Sequence, residues 1–342
     1  RVYQLGTRHA LLEPLRNIID RATNVRLCAH ATVVSLRREG GGRRVDRVSI
    51  ATRGAAWKVR ARRVVLAAGA VENARLLLLL ADEAGAAGNA SGWLGRGFME
   101  HPRDSAIIFR PRTADFYAAS SFYDVHRAAD GTCILGRLAL DDAALRVGDL
   151  PNASATLLAR PRPALDRVRA LWPAFARRRV PIGGHGWSAR ASAARLFDGL
   201  TVLLNVEQLP HPENRVTLGQ RRDAFGAPLP ALEWRWRPDD QRGLDRLRAL
   251  VAAELGAVGT VTVDATRHPD PNAHHHAGTT RMHDDPALGV VDRNARVHGM
   301  ENLYVAGAST FPTAGFANPM LTIVTLTLRL ARHLLDQGYG HA

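Results

Sequence analysis

Apolar and polar positions along this chain follow two periods, and together they predict a mixed α/β (α+β) protein. Leu11 to Ala22 has helical spacing. Asn24 to Arg37 places Val25, Leu27, Ala29, Val33 and Leu36 in the alternation of one or two strands. After the turn Gly40-Gly41-Gly42, Val45 to Thr52 and Trp57 to Arg60 read as a β-meander. The next segment, RRVVLAAGAVENARLLLLL, predicts a buried strand at Val64 to Ala67, a turn at Gly69 and a helix from Glu72 onward. Strands at Thr201 to Glu207, Arg215 to Leu218 and Ala231 to Arg237, with a Pro/Gly-rich turn between the last two, suggest an antiparallel sheet. Helices such as Leu244 to Leu255 would flank it.

The last stretch, His274 to Leu335, carries the candidate chemistry. It predicts a polar turn from His274 to Met282, short strands at Gly289 to Val291 and Leu303 to Ala306, a loop of small residues, and a closing helix. That helix is expected to begin at Asn318-Pro319, because Asn is a favoured N-cap and Pro is tolerated at the first helical position. A helix N-terminus offers free N–H groups and a positive dipole end. The preceding loop, Gly307-Ala308-Ser309 and Ala314-Gly315-Phe316-Ala317, lacks bulk at several positions, so its backbone either packs tightly or admits a large flat ligand. A reduced flavin, negatively charged on its pyrimidine edge, would suit both features.

Composition changes this picture little. A chain of 342 residues has room for two domains. A net charge of +14 would suit a phosphate backbone. Yet the positive charges are nearly all Arg, with Lys58 the single Lys, and they are scattered among Ala-rich segments, so no nucleic-acid partner is expected. The densest basic run, Arg160 to Arg179, reads as a solvated helix face. Cys28 and Cys133 make neither a disulfide framework nor a metal pair. No apolar run reaches the length of a membrane span, and the longest, in the last helix, is interrupted by Arg329. The chain opens at Arg1 without a visible signal peptide, and a cytoplasmic location is expected.

HHHAGTTRM, VVDRNARVHGMENLYVAGAS and NPMLTIV together resemble the C-terminal signature of the glucose-methanol-choline (GMC) family of FAD-dependent oxidoreductases. The family pattern selects His275, three residues before Gly278-Thr279, and Asn318 at the opening of the last helix. The resemblance implies oxidation of a CH–OH group in a sugar, polyol or other alcohol. His275 would be the general base, with hydride transfer to flavin N5 and Asn318 holding the substrate oxygen. His276 is the rival base and a candidate for binding substrate. A triple His could instead be a solvated loop or a metal site, but no Cys or Asp at ligand spacing supports zinc, so no metal is expected. One departure from the pattern is His283, where the family often has Gly after Arg-Met.

The same resemblance assigns FAD contacts to Val33, Ala68, Gly69, His101, Gly307, Ala308, Asn318, Pro319 and Met320. His101 closes the segment Gly95-Arg96-Gly97-Phe98-Met99-Glu100-His101, which is similar to a flavin-covering segment of the family. Glu207 and Gln208, at a strand end, are polar enough to bind a substrate hydroxyl, and Gln208 is the residue assigned to it. Residues 1–100 and 285–342 would form an FAD-binding, Rossmann-like domain, and 101–284 an antiparallel-sheet substrate domain with the catalytic turn.

The family's G-x-G-x-x-G fingerprint is absent. Gly184-His185-Gly186 imitates it without the strand that should precede it. The chain is therefore expected to be the C-terminal part of a longer flavoprotein, completed by upstream sequence or by a separate chain supplying the N-terminal segment. The order of segments looks most like the sugar- and polyol-oxidising branches, with oxygen or a quinone as electron acceptor. Two other readings stay open: a lyase on the same fold that keeps FAD as structure, and a split product inactive without its partner.

Overall fold

The computed structural model describes residues 1–5, 12–38, 40, 42–84, 88–128, 130–147, 150–162, 186–188, 193–270 and 274–338. Most of the Arg160 to Arg179 run, together with Gly184 and His185 of the fingerprint imitation, lies outside the described residues. The elements in chain order begin with β1 (Val2–Leu5), α1 (Leu12–Arg21), β2 (Thr32–Arg38), β3 (Val45–Ala51), β4 (Ala56–Val59), β5 (Val64–Leu66), α2 (Gly69–Ala84) and β6 (Arg103–Pro111). They continue with α3 (Phe116–Ala119), β7 (His126–Arg127), β8 (Cys133–Gly136), β9 (Leu138–Ala139), α4 (Asp142–Val147), β10 (Ala153–Pro161), α5 (Ala193–Leu196) and β11 (Phe197–Val206). Last come β12 (Arg215–Arg222), β13 (Pro228–Glu233), α6 (Pro238–Gly256), β14 (Gly259–Val263), β15 (Leu303–Val305) and α7 (Met320–Asp336).

The chain divides into two compact units, the first comprising Arg1–Arg26, Pro102–Val206 and Pro238–Pro271. Its centre is an antiparallel sheet in the order β14-β6-β11-β10-β9. Ile107, Phe109, Leu157, Leu200 and Val202 are buried on a shared face of it, as expected where one face of an antiparallel sheet packs against a core. A buried ion pair ties α6 to β6, with the Arg248 guanidinium donating to both Asp104 carboxylate oxygens at 3.1 and 2.7 Å.

The second unit comprises Leu27–His101, Glu207–Arg237 and Asn272–Ala342. It contains the parallel pair β5-β15, the meander β2-β3-β4 and the hairpin β12-β13. Its core gathers Leu36, Val45, Leu66, Leu77, Leu80, Val290, Val297, Leu303 and Val305. Asn73 on α2, fully buried, joins the ends of the parallel strands: its Oδ1 accepts from Ala68 N at 2.8 Å, and its Nδ2 donates to Ala306 O and Ser309 Oγ.

Three expectations need correction. The strands at 201–207, 215–218 and 231–237 do not share a sheet: β11 pairs with β6 and β10 in the first unit, whereas β12 and β13 form a hairpin in the second. Alternation identifies a strand but not its partner, and β6 and β10 had gone unread. Gly289 to Val291 is not a strand, since Val291 makes only isolated bridges to Met282 and Val297. Asn318 is not the N-cap of the closing helix. Pro319 stands there in helical dihedrals (φ −75, ψ −9), and its carbonyl accepts the first helical bond from Ile323 N at 2.9 Å.

Candidate active site

The turn from His274 to Met282 is held on two sides by backbone bonds within the second unit. Met99 and Ala277 exchange N–H···O bonds of 3.1 Å in both directions, while Gly278, Thr280 and Met282 donate to the carbonyls of Ala308, Ser309 and Thr310. Gly278 is required at this crossing. Its φ is +90, and a Cβ there would lie 2.1 Å from the Gly97 carbonyl oxygen. His283, the departure from the family pattern, fits without strain: its N–H donates to Val291 O, and its ring Nδ1 accepts from Asp285 N at 3.0 Å.

Phe98 and Met99, both buried, anchor the segment that brings Glu100 and His101 beside this turn. Glu100 is 5% exposed, and its carboxylate accepts three hydrogen bonds: from His101 N at 3.1 Å, His275 N at 3.2 Å and His276 Nε2 at 2.8 Å. Burial alone would raise its pKa, but the His276 bond and the two amides outweigh burial and hold the carboxyl below its ordinary value. His101 is 2% exposed. Its Nδ1 lies 3.2 Å from His275 Nδ1, and its Nε2 lies 3.3 Å from Ala314 O. Burial first, and positive charge on His275 second, push the His101 pKa down to about 4.

His275, His276 and His101 are thus brought together, and sequence reasoning missed the group that joins them, Glu100. The available signal was an acidic residue between buried apolar positions and His101. Gln208, assigned above to a substrate hydroxyl, instead points into the protein interior. It is fully buried, with Oε1 accepting from Glu100 N and Trp234 Nε1 and Nε2 donating to Arg235 O, so its amide braces the backbone. Glu207 likewise holds the small-residue loop, accepting from Gly315 N at 2.7 Å. Asn318 lies four residues beyond Ala314, with its side chain exposed. Among the described residues no group of His, Cys, Asp and Glu could hold a metal ion.

The fit of a flavin can be tested at the carboxyl ends of β5 and β15, where ligands of parallel sheets bind. Gly69 (φ +85) opens α2 and Gly307 (φ +116) follows β15, and a Cβ on either would meet nothing within 4 Å. Ala68 beside Gly69 is exposed, as are Val65, Met320 and Leu321, whereas Ala308 is buried. Small residues, open backbone and exposed apolar side chains fit a flat cofactor. The Ala68 N–H is already committed to Asn73, so contact there would fall to other atoms. Val33 pairs with Ile50 in the meander, its side chain half-buried against the core.

Residues 210–327 match the family model described as GMC oxidoreductase, a span that includes the turn and the start of α7. The fructose dehydrogenase large subunit of Gluconobacter japonicus is 27% identical over 282 residues, covering 82% of this chain and 48% of that protein. The 6'''-hydroxyparomomycin C oxidase of Streptomyces lividus is 34% identical over 158 residues, covering 43% of this chain and 28% of the other. Among solved structures, an FAD-dependent oxidoreductase from Chaetomium thermophilum aligns with a TM-score of 0.53 at 17% identity, over 94% of this chain and 64% of its own. This chain therefore spans about half the length of the first relative or less of the second, and the structural likeness is one of fold.

Proposed function

We propose, from the premise that residues 210–327 are a C-terminal domain of the glucose-methanol-choline oxidoreductase family, that the protein oxidises a CH–OH group of a sugar or related alcohol with FAD. FAD, held by Gly69, Gly307, Pro319, Met320 and neighbouring small residues, supplies the hydride acceptor when bound.

The observation that carries the reading is the His275 imidazole. It belongs to a turn pinned from both sides, with its backbone N–H on a buried carboxylate and its ring against a second histidine. A base held in this way loses little orientational entropy when an alcohol arrives, and it takes the hydroxyl proton as the C–H bond weakens. His276, whose side chain is 40% exposed, keeps its Nε2 on Glu100 and turns its other edge to a substrate hydroxyl. Asn318, exposed and not titratable, donates to or accepts from the reacting oxygen. The names of relatives, a fructose dehydrogenase large subunit and a pyranose 2-oxidase, support a carbohydrate-like substrate.

The test uses the complete protein loaded with FAD and mixed anaerobically with a panel of sugars and polyols while flavin absorbance is followed. His275→Ala should slow bleaching by about 10² to 10⁴, the usual worth of a general base. A variant that bleaches at the wild-type rate would move the base to His276 or elsewhere.

A further inference from the structure

His101 sits with one ring nitrogen 3.2 Å from a ring nitrogen of His275 and the other 3.3 Å from a backbone carbonyl. We propose that His101 is a positioning residue that fixes His275 in the tautomer with hydrogen on Nδ1 and the lone pair on Nε2. This rests on the reading of His275 as the base, with Nε2 as the nitrogen that takes the proton.

Ala314 O can only accept, so His101 Nε2 carries a hydrogen and donates it. A neutral imidazole has one N–H, which leaves His101 Nδ1 with a lone pair. That lone pair faces His275 Nδ1, and a hydrogen bond between the two nitrogens then requires the hydrogen to be on His275. Two facing lone pairs, or two facing N–H groups, would repel at this distance. A doubly protonated His101 would reverse the order, but its burial opposes that charge, and its pKa of about 4 keeps it neutral at pH 7. The rings meet edge-on, with centroids 5.3 Å apart and planes at 75°. Both residues are also pegged through their backbone N–H groups to the same Glu100 oxygen, so the pair has little freedom to turn.

The arrangement also sets where a proton can go. When His275 gains a proton on Nε2, its Nδ1–H stays on His101, which steadies the imidazolium. The chain ends there, because a backbone carbonyl takes no proton onward. The proton therefore leaves by the Nε2 side on which it arrived.

The experiment is a ring ¹⁵N–¹H correlation spectrum of the complete protein labelled with ¹⁵N-histidine at pH 7. The His275 and His101 signals are assigned by their loss in His275→Gln and His101→Gln. His275 should show hydrogen on Nδ1 and a bare Nε2, and His101 the reverse. His101→Leu, which removes the acceptor, should give His275 mixed tautomers and slow flavin reduction by about 10- to 100-fold, the usual cost of losing a partner that orients a histidine. His101→Gln can accept from His275 and donate to Ala314 O, so it should restore both. A wild-type His275 with hydrogen on Nε2, or an unchanged His275 tautomer in folded His101→Leu, would overturn the proposal. The wild-type spectrum decides even if that variant does not fold. Should the tautomers be as stated while His275→Ala still bleaches its flavin at the wild-type rate, the assignment of the base fails and the tautomer assignment stands.

Discussion

A buried carboxylate needs partners, and Glu100 has three donors arranged on its two oxygens. Glu100 and the neutral His101 beside it both make the native state sensitive to acid, in different windows. The native pKa of His101 lies near 4 against an ordinary 6.5, so between those values the unfolded chain binds more protons and stability falls as pH falls. The loss should total about 3 kcal/mol across that window. For Glu100, lowered from 4.5, the stabilisation is present above pH 4.5 and disappears as pH falls through the native value. Urea unfolding of wild type and His101→Gln between pH 7 and 4 checks this. The variant should lose the slope between 6.5 and 4, and an equal slope in both proteins would place the titrating group elsewhere. In the sequence the spacing of His275 to Gly278-Thr279 was legible because it is local. Glu100 and Ala314 were not, since their partners lie 175 and 213 residues away along the chain.

Among the elements, those of the second unit that flank the candidate site were read more accurately in sequence than the sheet of the first unit. β5, β15, α2 and α7 stand close to where periodicity placed them, because each shows its burial pattern over a few residues. Two glycines of the second unit act for different reasons, and the difference can be measured. Gly278→Ala puts a Cβ 2.1 Å from a backbone oxygen, so the crossing with Gly97 must open, at a cost of about 2 kcal/mol or more in urea unfolding. Gly307→Ala meets nothing within 4 Å, so only its positive φ opposes the substitution, at about 1 to 2 kcal/mol. If FAD lies against that backbone, Gly307→Ala should weaken flavin binding in a titration far more than its stability cost suggests. Unaltered affinity would remove Gly307 from the cofactor site.

For the molecule as a whole, the second unit exposes Val65 on β5 and Met320, Leu321 and Leu328 on α7, and leaves the backbone open at Gly69 and Gly307. A cofactor that binds only the native state should stabilise it by about 2.7 kcal/mol at a hundredfold excess over its Kd. Thermal unfolding of the complete protein, stripped of flavin and then titrated with FAD, should show a rising midpoint, and no shift would sink the FAD assignment. Among the described residues no helix is long and apolar enough to cross a membrane. By itself the sequence determined the motifs with their order and spacing and the mixed fold class, because each depends on residues close together in the chain. Only the tertiary structure decided that β11 leaves β12 and β13 for another sheet, that Gln208 is a buried brace, and that Glu100 and His101 meet His275. Strand partners, burial and the tautomer of a histidine are set by groups that meet only when the chain is folded.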